Sequence, residues 1–101
     1  MENKYGITSY DFEREIQAFC PLGQDYYTCK IVVTFSPDEM LFDFCEIDKF
    51  IQSLSGQNAI IEELVNGVYE NLMKYEPRTL TVKGIAKSNT HFDVTVTKRS
   101  W

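Results

Sequence analysis

A single histidine, three cysteines without a CxxC pair, and ten basic residues among 101 remove several common chemistries at once. One imidazole, His91, leaves no HExxH and no pair of histidines for a zinc centre, so a catalytic metal is not expected. Cys20, Cys29 and Cys45 are odd in number and spaced for neither a disulfide framework nor a zinc knuckle. GxGxxG, GxxxxGK[ST] and GxSxG are all missing, which excludes phosphate-cradling loops and the serine-hydrolase elbow. Fifteen acidic residues outweigh the basic ones, giving a net charge of −5. A broad electrostatic footprint for DNA or RNA needs clustered Lys and Arg, so DNA is excluded as a partner. No apolar run approaches the roughly 20 residues of a membrane-spanning helix, and Met1 to Tyr10 is too polar for a signal peptide. The expected compartment is the cytoplasm.

What is present is the balance of a folded domain: 44% hydrophobic, 14% aromatic and 25% charged residues. A chain of this length builds one domain with a modest core. The chemistry left to it is that of thiols and carboxylates. Cys20 followed by Pro21 stands out, because it sits between Glu15-Ile16-Gln17-Ala18-Phe19 and the strand-like run Tyr27 to Phe35. A thiol at the mouth of a β-rich segment is a candidate nucleophile. Free cysteine is only a few per cent thiolate at neutral pH, so such a role requires electropositive surroundings. Cysteine is also among the most buried residue types, and an inert core position is the competing reading.

Along the chain, residues 1–11 are polar and aperiodic and read as a flexible N-terminal arm that orders on assembly, ahead of a single domain over 12–101. Glu13 to Phe19 reads as a short strand. From Tyr26 to Phe35, Cys29, Ile31, Val33 and Phe35 share one face at period two. Ser36-Pro37-Asp38-Glu39 makes a turn, and Asp43-Phe44-Cys45-Glu46 has the form of a capping box ahead of Ile47, Phe50, Ile51 and Leu54. A second helix is expected from about Ala59 to Lys74, with Ile61, Leu64, Val65, Val68, Leu72 and Met73 as its buried stripe. Thr79 to Ala86 and Phe92 to Lys98 alternate as two further strands about a turn at Lys87-Ser88-Asn89-Thr90, with Phe92, Val94 and Val96 facing the helices. The order is ββααββ: an α+β fold in which two helices pack on one face of a four-stranded antiparallel sheet. Its bare edges predict a ring-shaped homo-oligomer formed by edge pairing between copies.

That order is the topology of the T-fold, the tunnelling fold of several purine- and pterin-handling enzymes. The chain resembles the 7-cyano-7-deazaguanine (preQ0) reductases of queuosine biosynthesis, the QueF family, and the archaeal QueF-like amidinotransferases. The resemblance runs from about Phe19 to the C-terminus. It rests on Phe19-Cys20-Pro21, on Phe35-Ser36-Pro37-Asp38-Glu39, on Ile61-Glu62-Glu63-Leu64, and on Glu76-Pro77-Arg78 with Val82-Lys83-Gly84. It implies that Cys20 attacks the nitrile carbon of preQ0 to form a thioimide, as a step in queuosine or archaeosine-type tRNA modification. A nearby acid then protonates the nitrogen; Asp25 is the candidate, although ungapped matching puts Tyr27 at the family position. Glu62 matches the carboxylate that grips the amidine edge of the ring through two hydrogen bonds, and Ile61 stands where a histidine usually precedes it.

The reductases carry a motif of glutamate, serine and lysines for substrate and NADPH. The corresponding stretch, Asp43 to Phe50, has Cys45 and Asp48 where lysines are expected. The resemblance therefore implies no NADPH site and favours amidination over reduction. Asp43 is a substrate contact in this reading and a helix cap in the simpler one. Gly23-Gln24-Asp25-Tyr26 and Met40 to Phe44 also look like segments of the pyruvoyl-tetrahydropterin synthase branch, but Gln24 replaces a zinc ligand there. If the substrate is tRNA, Lys83, Lys87, Lys98 and Arg99 are the phosphate contacts. The alternatives are a preQ0 reductase, or a non-catalytic module that binds a purine or pterin or serves only in assembly.

Overall fold

Strand β1 (Tyr10–Cys20) and strand β2 (Asp25–Ser36) form a hairpin, helices α1 (Phe44–Ser53) and α2 (Ile61–Met73) follow, and β3 (Thr79–Lys87) and β4 (Val94–Arg99) end the chain. The computed structural model describes residues 1–101. The strands lie in the order β1-β2-β3-β4, each antiparallel to the next. Both helices cover the same face, which gives the expected α+β T-fold.

The alternation in β2 sets the register of the whole sheet. Cys29, Ile31, Val33 and Phe35 are fully buried and lie opposite Ala86, Gly84, Val82 and Leu80 of β3. Slipping this pairing by one residue would turn the entire apolar row to water, so the register is strongly specified. α2 lays Ile61, Leu64, Val65, Val68, Tyr69 and Leu72 on that row, and α1 adds Ile47 and Ile51. Gly84 permits the close approach of α2. A Cβ there would stand 2.7 Å from Val65 Cγ2 and 3.0 Å from Ile61 Cγ1, inside contact distance. The first turn of α2, which carries Glu62, is thus held against the middle of β3.

Several elements depart from the sequence-based expectations. β1 starts three residues before the expected Glu13, because Tyr10 and Phe12 continue the half-buried face that Ile16 and Ala18 complete. Residues 1–9 do not stand clear as an arm. The Asn3 side chain bonds to the backbone of Ile7 and Asp38, Glu2 bridges Met40, and the Leu41 N–H donates to the Met1 carbonyl at 2.8 Å. The capping box is half made. Asp43 accepts from the N–H groups of Cys45 and Glu46, whereas the Glu46 carboxylate turns instead to Lys74 Nζ at 2.6 Å and Tyr75 Oη. The β3–β4 connection runs over residues 88–93, longer than a four-residue turn. Phe92 consequently lies outside the strand and is exposed, while Val94 and Val96 pack on the core.

The edges also differ from each other. β4 has no partner on its outer side. β1 is covered at its C-terminal end by its own chain: the Phe19 N–H donates to the Gln57 carbonyl, and the N–H groups of Ala59 and Gly56 donate to the carbonyls of Phe19 and Gln17. This clasp brings the 55–60 connection, and with it the start of α2, beside Cys20.

Candidate functional site

One end of the sheet gathers the β1–β2 hairpin, the α1–α2 connection, the first turn of α2 and the β3–β4 connection. A cavity of about 210 Å³ opens there, lined by Cys20, Leu22, Tyr27, Ile60, Ile61, Glu62, Ala86, His91 and Val94. Cys20 is the last residue of β1 and lies on the helix side of the sheet, in line with Ile16 and Ala18. Its Sγ is 3.5 Å from the Gly23 N–H, a donor placed by the turn that Gln24 closes in the left-handed region at φ 53°. No lysine or arginine lines the cavity. Glu62 stands in the first turn of α2, whose N-cap, Ile60, contributes no side-chain bond. A carboxylate there complements the exposed N–H groups of the helix start. Cys20 and Glu62 thus share one cleft.

Tyr27 forms the floor. Its Oη donates to the Ala59 carbonyl at 2.7 Å, and burial pushes its pKa well above the ordinary tyrosine value. The carboxylates and thiols around it act in the same direction. Tyr27 therefore holds its proton and acts as a structural donor. Cys29, two residues further along β2, is completely enclosed, and burial raises its thiol pKa to about 11. It is a core residue.

Asp25 lies opposite Cys20 in the β1–β2 register but does not line the cavity. Its Oδ1 accepts from the Tyr26 N–H at 2.8 Å and its Oδ2 from Thr90 Oγ1 at 3.0 Å. Asp43 caps α1 at the other end of the molecule and is likewise absent from the cavity wall. The stretch 43–50 turns to other partners. Asp48 receives a two-pronged bond from Arg14, Nε at 2.8 Å and Nη2 at 2.6 Å, which holds its carboxyl below the usual carboxylate range. A larger, polar groove of about 420 Å³ is lined by Gln17, Thr28, Lys87 and Asn89 among others, and it contains no thiol.

His91 also lies on the cavity wall, a residue for which the sequence alone offers no role at this site. The available signal was its being the chain's single imidazole; the rest depends on folding. Leu22 and Phe92 are open to solvent, 82% and 81% exposed, and Leu22 lies on the cavity itself.

A four-stranded antiparallel sheet with two helices on one face and a cleft at the strand ends defines a T-fold protein. Among solved structures, the chain is similar to one described as the archaeosine synthase QueF-Like in the apo form, with a TM-score of 0.82. The match covers 92% of this chain and 93% of that one at 18% sequence identity, so the two share a fold. No protein-family model and no curated protein sequence matches the chain. No helix is long and apolar enough to cross a membrane.

Proposed function

We propose that this protein is a QueF-like enzyme that processes the nitrile of a 7-deazaguanine, free or in tRNA. Cys20 is the nucleophile that forms the thioimide, and Glu62 is the carboxylate that grips the ring edge. The observation that carries the reading is the common cavity of Cys20 and Glu62, on a fold it shares with an archaeosine synthase. A flat ring held at one edge by Glu62 would bring its opposite edge toward the thiol, and positioning of that kind supplies much of a catalytic advantage.

Amidination is favoured over NADPH-dependent reduction by the stretch 43–50, where Cys45 and Asp48 stand in place of the expected lysines and none of its residues lines the cavity. A volume of about 210 Å³ suits a small bicyclic ring better than a ring together with a dinucleotide. For a tRNA substrate, Lys83, Lys87 and Arg99 on exposed positions of β3 and β4 are the available phosphate contacts. Lys98 instead bonds to Asn66 at 2.6 Å and lies over the Tyr69 ring. A head-to-tail ring would pair the open edge of β4, with Arg99, against the first half of β1, with Asp11, Glu13 and Glu15. Edges that differ in this way close a ring by heterologous contact. Light scattering on the eluting protein should then give the mass of a closed oligomer.

A binding module without catalysis is the second reading, favoured by the engagement of both Asp25 oxygens. Intact mass after incubation with preQ0 separates the two. The enzyme gains the mass of preQ0, and Cys20→Ala gains nothing; a wild-type protein that binds preQ0 without any covalent adduct is a module. NADPH consumption coupled to loss of the adduct would restore the reductase.

A further inference from the structure

We infer that His91 carries the proton at the Cys20 cavity, and that Asp25 acts through the loop that bears it. This deepens the reading of Cys20 as nucleophile and rests on it. The titratable groups on the wall are Cys20 of β1, Tyr27 of β2, Glu62 of α2 and His91 of the β3–β4 connection. Tyr27 is committed to the Ala59 carbonyl and held neutral by burial. Glu62 is assigned to the ring edge. Asp25 lies off the wall with both oxygens occupied, and Asp93 opens onto the polar groove instead. The remaining proton-transfer group is the imidazole.

Its tautomer follows from the contact it makes. His91 Nδ1 is 2.6 Å from the Phe92 carbonyl oxygen. A carbonyl only accepts, so Nδ1 carries the hydrogen and the neutral ring keeps its lone pair on Nε2. The loop is anchored one residue earlier. Thr90 Oγ1 donates to Asp25 Oδ2, which accepts only, so the 2.9 Å contact between Thr90 Oγ1 and Ser88 Oγ has Ser88 as donor. The Thr90 N–H in turn donates to Ser88 Oγ at 3.2 Å. Asp25 is the register partner of Cys20, so this clasp ties the histidine loop to the hairpin that holds the thiol. Asp25 is thereby a positioning residue.

The step balances without a further reactant. Nε2 accepts the Sγ proton, sulfur bonds to the nitrile carbon, and one C–N π bond breaks with its electron pair passing to nitrogen. The imidazolium then gives its proton to that nitrogen. A neutral thioimide and a neutral imidazole result, with no leaving group. General acid–base assistance of this type contributes roughly 10²- to 10⁴-fold.

Two measurements on wild type, His91→Gln and Thr90→Val test it. The first is the pH profile of iodoacetamide alkylation, resolved by peptide mass, with exposed Cys45, which lies off the cavity, as the internal standard. Cys20 should show a reactive limb that Cys45 lacks. His91→Gln should abolish that limb, Thr90→Val should weaken it, and Cys45 should not change in either. The second is the rate of adduct formation with preQ0, expected to fall about a hundredfold in His91→Gln. Superimposable Cys20 profiles in wild type and His91→Gln, or an undiminished adduct rate, overturn the inference and leave the proposed function standing. A His91-dependent limb in a protein that forms no preQ0 adduct supports the inference and removes the substrate.

Discussion

Where β2 leaves for α1, Tyr10, Phe12, Phe35, Phe42 and Tyr75 pack ring against ring, with centroids 4.5 Å apart for Tyr10–Phe42 and 4.9 Å for Phe35–Phe42. Ion pairs surround that end: Arg78 with Asp38 and Lys74 with Glu46. At the opposite end of the same strands, Leu22 and Phe92 lie open, the α2 start has no side-chain cap, and a thiol, an imidazole and a carboxylate share a cleft. The first end packs its rings and pairs its charges, with Phe44 and Met40 left open at its margin, and the second keeps a cleft. With the proposed function, stability belongs to the first and chemistry to the second, and substitutions at the two should separate accordingly.

Phe35→Ala should be the most damaging change to stability. Phe35 is fully buried among the other rings, and truncating such a side chain costs about 3–5 kcal/mol. Urea unfolding should show the loss, while the folded fraction keeps the Cys20 alkylation profile of wild type. A changed profile would mean that the two ends are coupled through the sheet.

The parts of this contrast that sequence made legible are those written in short-range pattern. The period-two row of β2 and the stripe of α2 specify which faces are buried, and Asp43 announces the start of α1. The alternation of Val94 and Val96 does not say where the ladder stops. β4 pairs only from Val94, opposite Ala86, so Phe92 falls in the connection and turns outward. Glu46 looks like the second half of a capping box until Lys74, 28 residues later, captures it. His91 is the hardest case. Its place on the cavity wall goes with a bond between Thr90 and Asp25, 65 residues apart, which no local window contains.

Gly84→Val tests the middle of the molecule, where the two ends meet. Its added methyl groups would press on Val65 and Ile61, and overpacking of this kind costs roughly 1–3 kcal/mol. Because Ile61 adjoins Glu62, the variant should also bind preQ0 less tightly. Calorimetric titration that finds the affinity unchanged would show that the glycine serves packing alone. Asp43→Ala is expected to cost less, about 1 kcal/mol, by freeing the N–H groups of Cys45 and Glu46. Unaltered preQ0 affinity in that variant would mark Asp43 as a cap; a loss beyond the stability effect would return it to the substrate site.

The mildest change concerns acid sensitivity at the ring-packed end. Hydrogen bonding to Lys74 lowers the folded pKa of Glu46, and bonding to Arg14 lowers that of Asp48. A carboxyl depressed in the folded state contributes stability above its unfolded value, about 4.3 for Glu and 3.9 for Asp, and loses it as pH falls through the folded value. Both pairs are surface pairs, so the contribution is small and screened by salt. Glu46→Gln should therefore narrow the difference between urea midpoints at pH 7 and pH 3, more visibly at low ionic strength. An unchanged difference would move the acid sensitivity away from this carboxylate, and with it part of the case that the two ends divide stability from chemistry.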